Sequence, residues 1–173
     1  MTMLQRKTLN LDACEVKVEG DSGRFAGYAS VFGGVDSYND TILKGAYEST
    51  LKKHGKPKMY INHNDDTLPV GKWLTAKEDD KGLYVEGELT LGMSIANDAN
   101  AALKHGTIDG LSIGYYVKAD DFEVMDSGIR ILKRVSRLVE VSIVAWPADD
   151  AARIDMESIK SEGINQIETL RDF

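Results

Sequence analysis

Gly110-Leu111-Ser112-Ile113-Gly114-Tyr115-Tyr116-Val117 (110–117) is the stretch on which the reading of this chain turns. Taken literally it contains G-x-S-x-G, the signature of a nucleophile elbow, which needs a helix directly after the serine and a histidine later in the chain. Neither follows. Beyond Ser112 the residues alternate with a period of two, the pattern of a strand. The three histidines, His54, His63 and His105, all lie upstream. An α/β-hydrolase is therefore excluded and a β fold indicated. In such a strand Leu111, Ile113, Tyr115 and Val117 share one face, leaving Ser112, Gly114 and Tyr116 on the other. Gly110 and Gly114 remove side-chain bulk around the hydroxyl, so another backbone could approach it closely. On spacing alone, a serine on a solvated strand face accounts for the same pattern.

Outward from this strand, short β patterns are interrupted by a few helical ones. Residues 13–32 predict two strands about a turn at Gly20–Gly23, with Val16 and Val18 before it and Phe25, Tyr28 and Val31 after. Gly20-Asp21-Ser22-Gly23 resembles the serine environment of trypsin-type proteases, but it precedes every histidine, and a polar hairpin turn explains it. Residues 43–53 place Leu43, Ala46, Tyr47 and Leu51 at helical spacing, stopped by Gly55 and Pro57. Strands are expected at 58–62, 69–77 and 83–91, then a helix at 94–105 with Ser94 as cap and Gly106 as stop. Further strands are expected at 111–118 and 121–125, and over a long apolar run at 129–145 that Pro147 ends. Residues 149–172 read as a polar helix broken at Gly163. The fold class is mainly β with helices (α+β), a barrel or sandwich decorated by helices; a doubly wound sheet does not suit the irregular alternation.

The 173 residues suit one domain, with or without a tail. Hydrophobic residues at 42% and charged residues at 28% are ordinary globular usage. Cys14 is the single cysteine, so no intramolecular disulfide and no cysteine-rich zinc site can form. The net charge is 21 − 28 = −7, and Lys and Arg form no stripe, which argues against nucleic-acid binding as the main role. The apolar stretches fall far short of a membrane span, and the first residues lack the apolar core of a signal peptide. A cytoplasmic-type protein is expected.

Two further residues carry chemistry. His63, in YINHNDDTLPVGKW (60–73), falls where an apolar strand gives way to a polar loop, a common place for a residue that reaches into a cleft. Histidine is the natural proton acceptor for a serine hydroxyl at neutral pH. A surface histidine at a strand end is equally ordinary, and a metal site with Asp65 and Asp66 lacks further ligands at recognisable spacing. Glu140 interrupts Leu138-Val139-Glu140-Val141-Ser142-Ile143-Val144, which otherwise reads as a buried strand. A carboxylate there needs a partner. Arg137 would serve as one; an imidazole that the carboxylate orients would serve as another. His63, Ser112 and Glu140 thus form a candidate base, nucleophile and orienting acid, in a chain order unlike those of chymotrypsin, subtilisin or the α/β-hydrolases.

The segment around His63 with PVGKW (69–73), GLSIGY (110–115) and LVEVSIVAWPAD (138–149), together with GYASVFGGVDSYNDTILKGAY (27–47), resembles the prohead protease family of tailed bacteriophages, which is similar in fold to the herpesvirus assemblins. The resemblance spans roughly residues 11–152. It implies a serine endopeptidase on a closed, assemblin-like β-barrel flanked by a few α-helices, with Ser112 as nucleophile, His63 as general base and Glu140 as third member. The family often has His-Asp where this chain has His63-Asn64-Asp65, so Asp65 receives no role. The division implied is a barrel domain at 11–152 and a C-terminal helical tail at 153–173 that contacts capsid or scaffold, or is cut by the enzyme itself. No metal or organic cofactor is implied. The substrate would be phage scaffold or major capsid protein, inside a procapsid in the bacterial cytoplasm, with dimerisation or crowding as a gate on activity. A non-catalytic barrel that binds capsid or scaffold is the rival reading, and an unrelated small-ligand barrel a third.

Overall fold

The computed structural model describes residues 22–146 in full and the backbone of two strands before them, at 4–8 and 17–19. The expected helix at 149–172 and the tail at 153–173 lie outside the described residues. In chain order the elements are β1 (Leu4–Thr8), β2 (Lys17–Glu19), β3 (Arg24–Val31), β4 (Asp40–Ile42), α1 (Glu48–His54), β5 (Lys58–Ile61), β6 (Gly71–Glu78) and β7 (Gly82–Leu89), followed by α2 (Ser94–His105), β8 (Gly110–Tyr116), β9 (Phe122–Val124), β10 (Arg130–Leu132) and β11 (Arg137–Val144).

Among the described residues eight strands form one sheet in the order β1-β8-β11-β5-β6-β7-β3-β2, and β4-β10-β9 form a smaller one. Within the large sheet β11 and β5 run parallel, and the other pairs antiparallel. Bulges interrupt three ladders, at Leu138/Glu140, Trp73/Thr75 and Tyr28/Ser30. Each adds local twist and bends its strand, and the sheet curls until β3 approaches β8 across the interior. The expected closed barrel is not formed among the described residues. The edge strands β1 and β2 do not pair with each other, so the sheet is a curled half-barrel.

The interior collects the apolar side chains of alternate strand positions. Leu111, Ile113 and Tyr115 from β8 join Val141 and Ile143 from β11, Met59, Trp73, Val85 and Phe25, all buried. Phe25 and Trp73 meet edge to face at 5.5 Å. α1 packs on β11 and β6, and α2 on β7.

Local chemistry explains where the elements differ from expectation. The expected helix at 43–53 begins only at Glu48, because the Gly45 and Tyr47 N–H groups donate to the Glu78 carboxylate at 2.9 and 2.7 Å. α2 matches its expected span and ends at Gly106, whose φ of 77° supplies the left-handed stop. Its N-cap is Met93 rather than Ser94. The apolar run at 129–145 is two strands, not one. The turn between β10 and β11 folds onto Asp121, whose carbonyl accepts the Lys133 and Arg134 N–H groups and whose buried carboxylate accepts the Lys118 N–H, Arg134 Nε at 2.6 Å and the Ser136 hydroxyl. A second buried carboxylate, Asp40, accepts both Arg130 Nε and its terminal nitrogen at 2.6 Å, and the Tyr115 hydroxyl at 3.0 Å. This ties the small sheet to β8, the strand that carries Ser112.

Candidate active site

The two strands that carry Ser112 and Glu140 lie side by side. In the β8–β11 ladder Ser112 faces Ser142 and Gly114 faces Glu140. The bulge at Val139 sets this register: Leu138 pairs with Tyr115, and the extra residue brings Glu140 opposite Gly114. Glu140 and Ser142, two apart, then share the face on which Ser112 lies. On the far side of β11, Ser142 faces Tyr60 of β5. His63 therefore stands just past the end of a strand one ladder beyond β11, and its ring reaches over Ser142 towards Ser112.

The turn that aims the ring has an uncommon backbone. Asn62 and His63 both adopt positive φ, 50° and 59°, a region sparsely used by residues with a Cβ and recurrent at functional sites. The Asn62 N–H donates to the Ile143 carbonyl at 2.8 Å, and Asn62 Oδ1 accepts the Ala145 N–H at 3.0 Å. The turn is thus fastened to the end of β11.

The three candidate residues meet in one continuous chain. His63 Nε2 lies 2.7 Å from Ser112 Oγ, and His63 Nδ1 lies 2.5 Å from Glu140 Oε1. An ionised carboxylate can only accept, so the arrangement assigns the proton to Nδ1 and leaves Nε2 to accept the serine O–H. Glu140 is 3% exposed and Ser112 fully buried, while the His63 side chain is 14% exposed. Glu140 Oε2 accepts the Ser142 hydroxyl at 2.6 Å, so both carboxylate oxygens are bonded by groups other than Arg137, the other partner weighed for Glu140.

Both glycines of the G-x-S-x-G stretch are explained by this packing. A Cβ at residue 114 would lie 2.2 Å from Glu140 Oε1, and one at residue 110 would lie 2.9 Å from Val144 Cγ2 and from its carbonyl oxygen. What approaches at Gly114 is thus a carboxylate rather than the backbone that spacing alone allowed. Ser142 and Asn62 were not singled out from the sequence. The alternation of β11 puts Ser142 on Glu140's face and could have revealed it. The fastening role of Asn62 depends on tertiary contact and had no sequence signal. His63 with Asp65 and Asp66 makes no metal cluster: among the described residues no group of three or more His, Cys, Asp or Glu is placed to hold an ion. No helix among them is long and apolar enough to cross a membrane. A cavity of about 190 Å³, lined by Phe25, Leu74, Tyr84 and Glu86 among others, belongs to β3, β6 and β7 and does not include the three residues.

The chain is 46% identical over 169 residues to the prohead protease of Enterobacteria phage HK97, covering 96% of this chain and 73% of that protein. Among solved structures it is similar to the bacteriophage T4 capsid assembly protease, with a TM-score of 0.63 at 14% identity over 84% of this chain and 99% of the other, a likeness of fold. Varicella-zoster virus protease aligns more loosely, with a TM-score of 0.44 at 12% identity, over 87% of this chain and 76% of that one. The profile of the family described as caudovirus prohead serine protease matches residues 9–167, nearly the whole chain. The chain belongs to that family, the proteases of phage capsid maturation.

Proposed function

We propose that the chain is a serine endopeptidase in which Ser112 is the nucleophile, His63 the general base and Glu140 the acid that orients it. The observation that carries this reading is the unbroken chain of hydrogen bonds, Ser112 Oγ to His63 Nε2 at 2.7 Å and His63 Nδ1 to Glu140 Oε1 at 2.5 Å, in a buried setting. As Ser112 Oγ attacks the peptide carbonyl, His63 Nε2 takes its proton, and the imidazolium so formed is stabilised by Glu140. His63 then gives that proton to the leaving amine. Water, activated by the same imidazole, hydrolyses the acyl-enzyme. Burial strengthens each of these interactions relative to water, and no metal or organic cofactor takes part.

The substrates are the phage scaffold or an extension of the major capsid protein, and the enzyme's own chain, cut inside the procapsid in the bacterial cytoplasm. Residues 11–152 form the catalytic unit, and 153–173 a tail that contacts capsid or scaffold or is itself cleaved. The full burial of Ser112 favours a gated enzyme: peptide reaches the hydroxyl only after a covering segment moves, as dimerisation or confinement in the shell would promote. Co-expression of wild type and Ser112→Ala with the neighbouring capsid and scaffold proteins, followed by intact mass of every product, tests the reading. Defined fragments are expected with the wild type alone. Full-length partners in both would instead favour a barrel that binds without cutting.

A further inference from the structure

Beyond the three residues of the proposed mechanism, one hydroxyl touches two of them at once. Ser142 Oγ donates to Glu140 Oε2 at 2.6 Å and accepts the His63 main-chain N–H at 3.3 Å. With the 2.5 Å contact between His63 Nδ1 and Glu140 Oε1, these bonds close a ring that runs from the carboxylate through the imidazole and the His63 backbone to Ser142 and back. Ser142 is fully buried, so a bond it loses is not readily replaced by solvent. A buried carboxylate is stable when both oxygens are bonded, and Ser142 provides for the oxygen that His63 does not.

We infer that Ser142 is a positioning residue of the site, holding the Glu140 carboxylate and the His63 main chain in a single geometry, with Asn62 completing the clamp. The inference rests on the proposed roles of Ser112, His63 and Glu140. Two consecutive residues at positive φ do not hold that conformation unaided. Here the end of β11 fastens them at three points: Ser142 Oγ to the His63 N–H, the Ile143 carbonyl to the Asn62 N–H, and the Ala145 N–H to Asn62 Oδ1. Because β11 also carries Glu140, one strand sets the place of both the acid and the base, and a shift of β11 would move them together. Without the Ser142 hydroxyl one carboxylate oxygen and the His63 main-chain N–H lose their partner, and the contact between Nδ1 and Oε1 loses the clamp that fixes it.

A merely structural serine would affect melting and nothing else, so the test reads the imidazole itself. Proton NMR of the full chain at a fixed pH follows the downfield Nδ1 proton of His63, assigned by its loss in His63→Ala. In Ser142→Ala the resonance is expected to move upfield and to broaden through faster exchange, as the hydrogen bond from Nδ1 to Glu140 loosens. Cleavage of the co-expressed capsid protein should fall roughly 10- to 100-fold, the usual effect of losing an orienting partner. Ser142→Cys, which keeps the shape with a weaker donor, should move both readouts the same way by less, and carries the test should the alanine variant not fold. An unmoved, equally sharp resonance with cleavage within two-fold of wild type overturns the inference. So does absence of the downfield proton from the wild type, since the pair that Ser142 holds would then not exist. The NMR readings need no turnover: a Ser112→Ala protein that still cleaved would overturn the proposed function and leave them interpretable.

Discussion

Gly114 shows how tightly the site is specified at the scale of single residues. The space its missing side chain leaves is filled by the Glu140 carboxylate, 2.2 Å from where a Cβ would stand. Gly114→Ala should therefore push that carboxylate off His63 while leaving β8 paired. Cleavage is expected to drop about 100-fold, the effect of misplacing a catalytic group by about an ångström, with the melting temperature changed far less. Comparing cleavage rate with thermal melting checks this; equal cleavage by the variant would mean the carboxylate has no part in the reaction. At this scale much was legible in the sequence. Glu140 stood out because a lone carboxylate in an apolar strand must have a partner, and His63 because it ends a strand. Ser142 drew no notice because a serine in a strand is unremarkable until its neighbours are known.

At the scale of elements, β1 was missed and is the most consequential omission. Its sequence, Leu4-Gln5-Arg6-Lys7-Thr8, has no apolar alternation to read; it is a strand because the outer edge of β8 offers unpaired N–H and C=O groups. In that pairing Thr8 stands opposite Ser112. Among the described residues β1 is paired with β8 alone, and an extended peptide could add to the same edge only in its place. Deleting residues 1–8 should therefore speed the reaction of Ser112 with a fluorophosphonate probe, measured by intact mass over time. An unchanged or slower rate would place the cover of Ser112 elsewhere. The split of the 129–145 run was hidden for a related reason. Val135 in the intervening turn is itself buried, so the apolar pattern runs on through a bend that polar bonds to Asp121 create.

For the whole molecule, β content, the span of α2 and the family were readable, whereas closure of the barrel was not. Whether a curled sheet closes depends on how far bulges bend it and on what its edges meet, and neither is written in local periodicity. The fold also rests on buried carboxylates, and this gives its pH dependence a sign. Burial alone would push the Asp121 carboxyl up, but the Ser136 hydroxyl, the Lys118 N–H and the Arg134 guanidinium outweigh it and hold the group below the usual carboxylate range. Its folded value thus lies below its unfolded one. The stabilisation is present above about pH 4 and is lost as pH falls through the folded value. Asp121→Asn should lower stability at pH 7 by roughly 1–3 kcal/mol and converge with the wild type in strong acid, as urea unfolding at several pH values would show. A gap that persists undiminished at low pH would assign the loss to packing rather than charge.

Ser112 is the nucleophile of the proposed mechanism, and the most direct measurement is the site of covalent capture in protein that is cleaving its capsid partner. Treatment with a fluorophosphonate, followed by intact mass and fragment mapping, should find one phosphonyl group per chain, on Ser112, with cleavage stopping as it is added. Ser112→Ala should take up none, and His63→Ala should take it up far more slowly. An adduct on another residue, or cleavage by Ser112→Ala at the wild-type rate, would contradict the account.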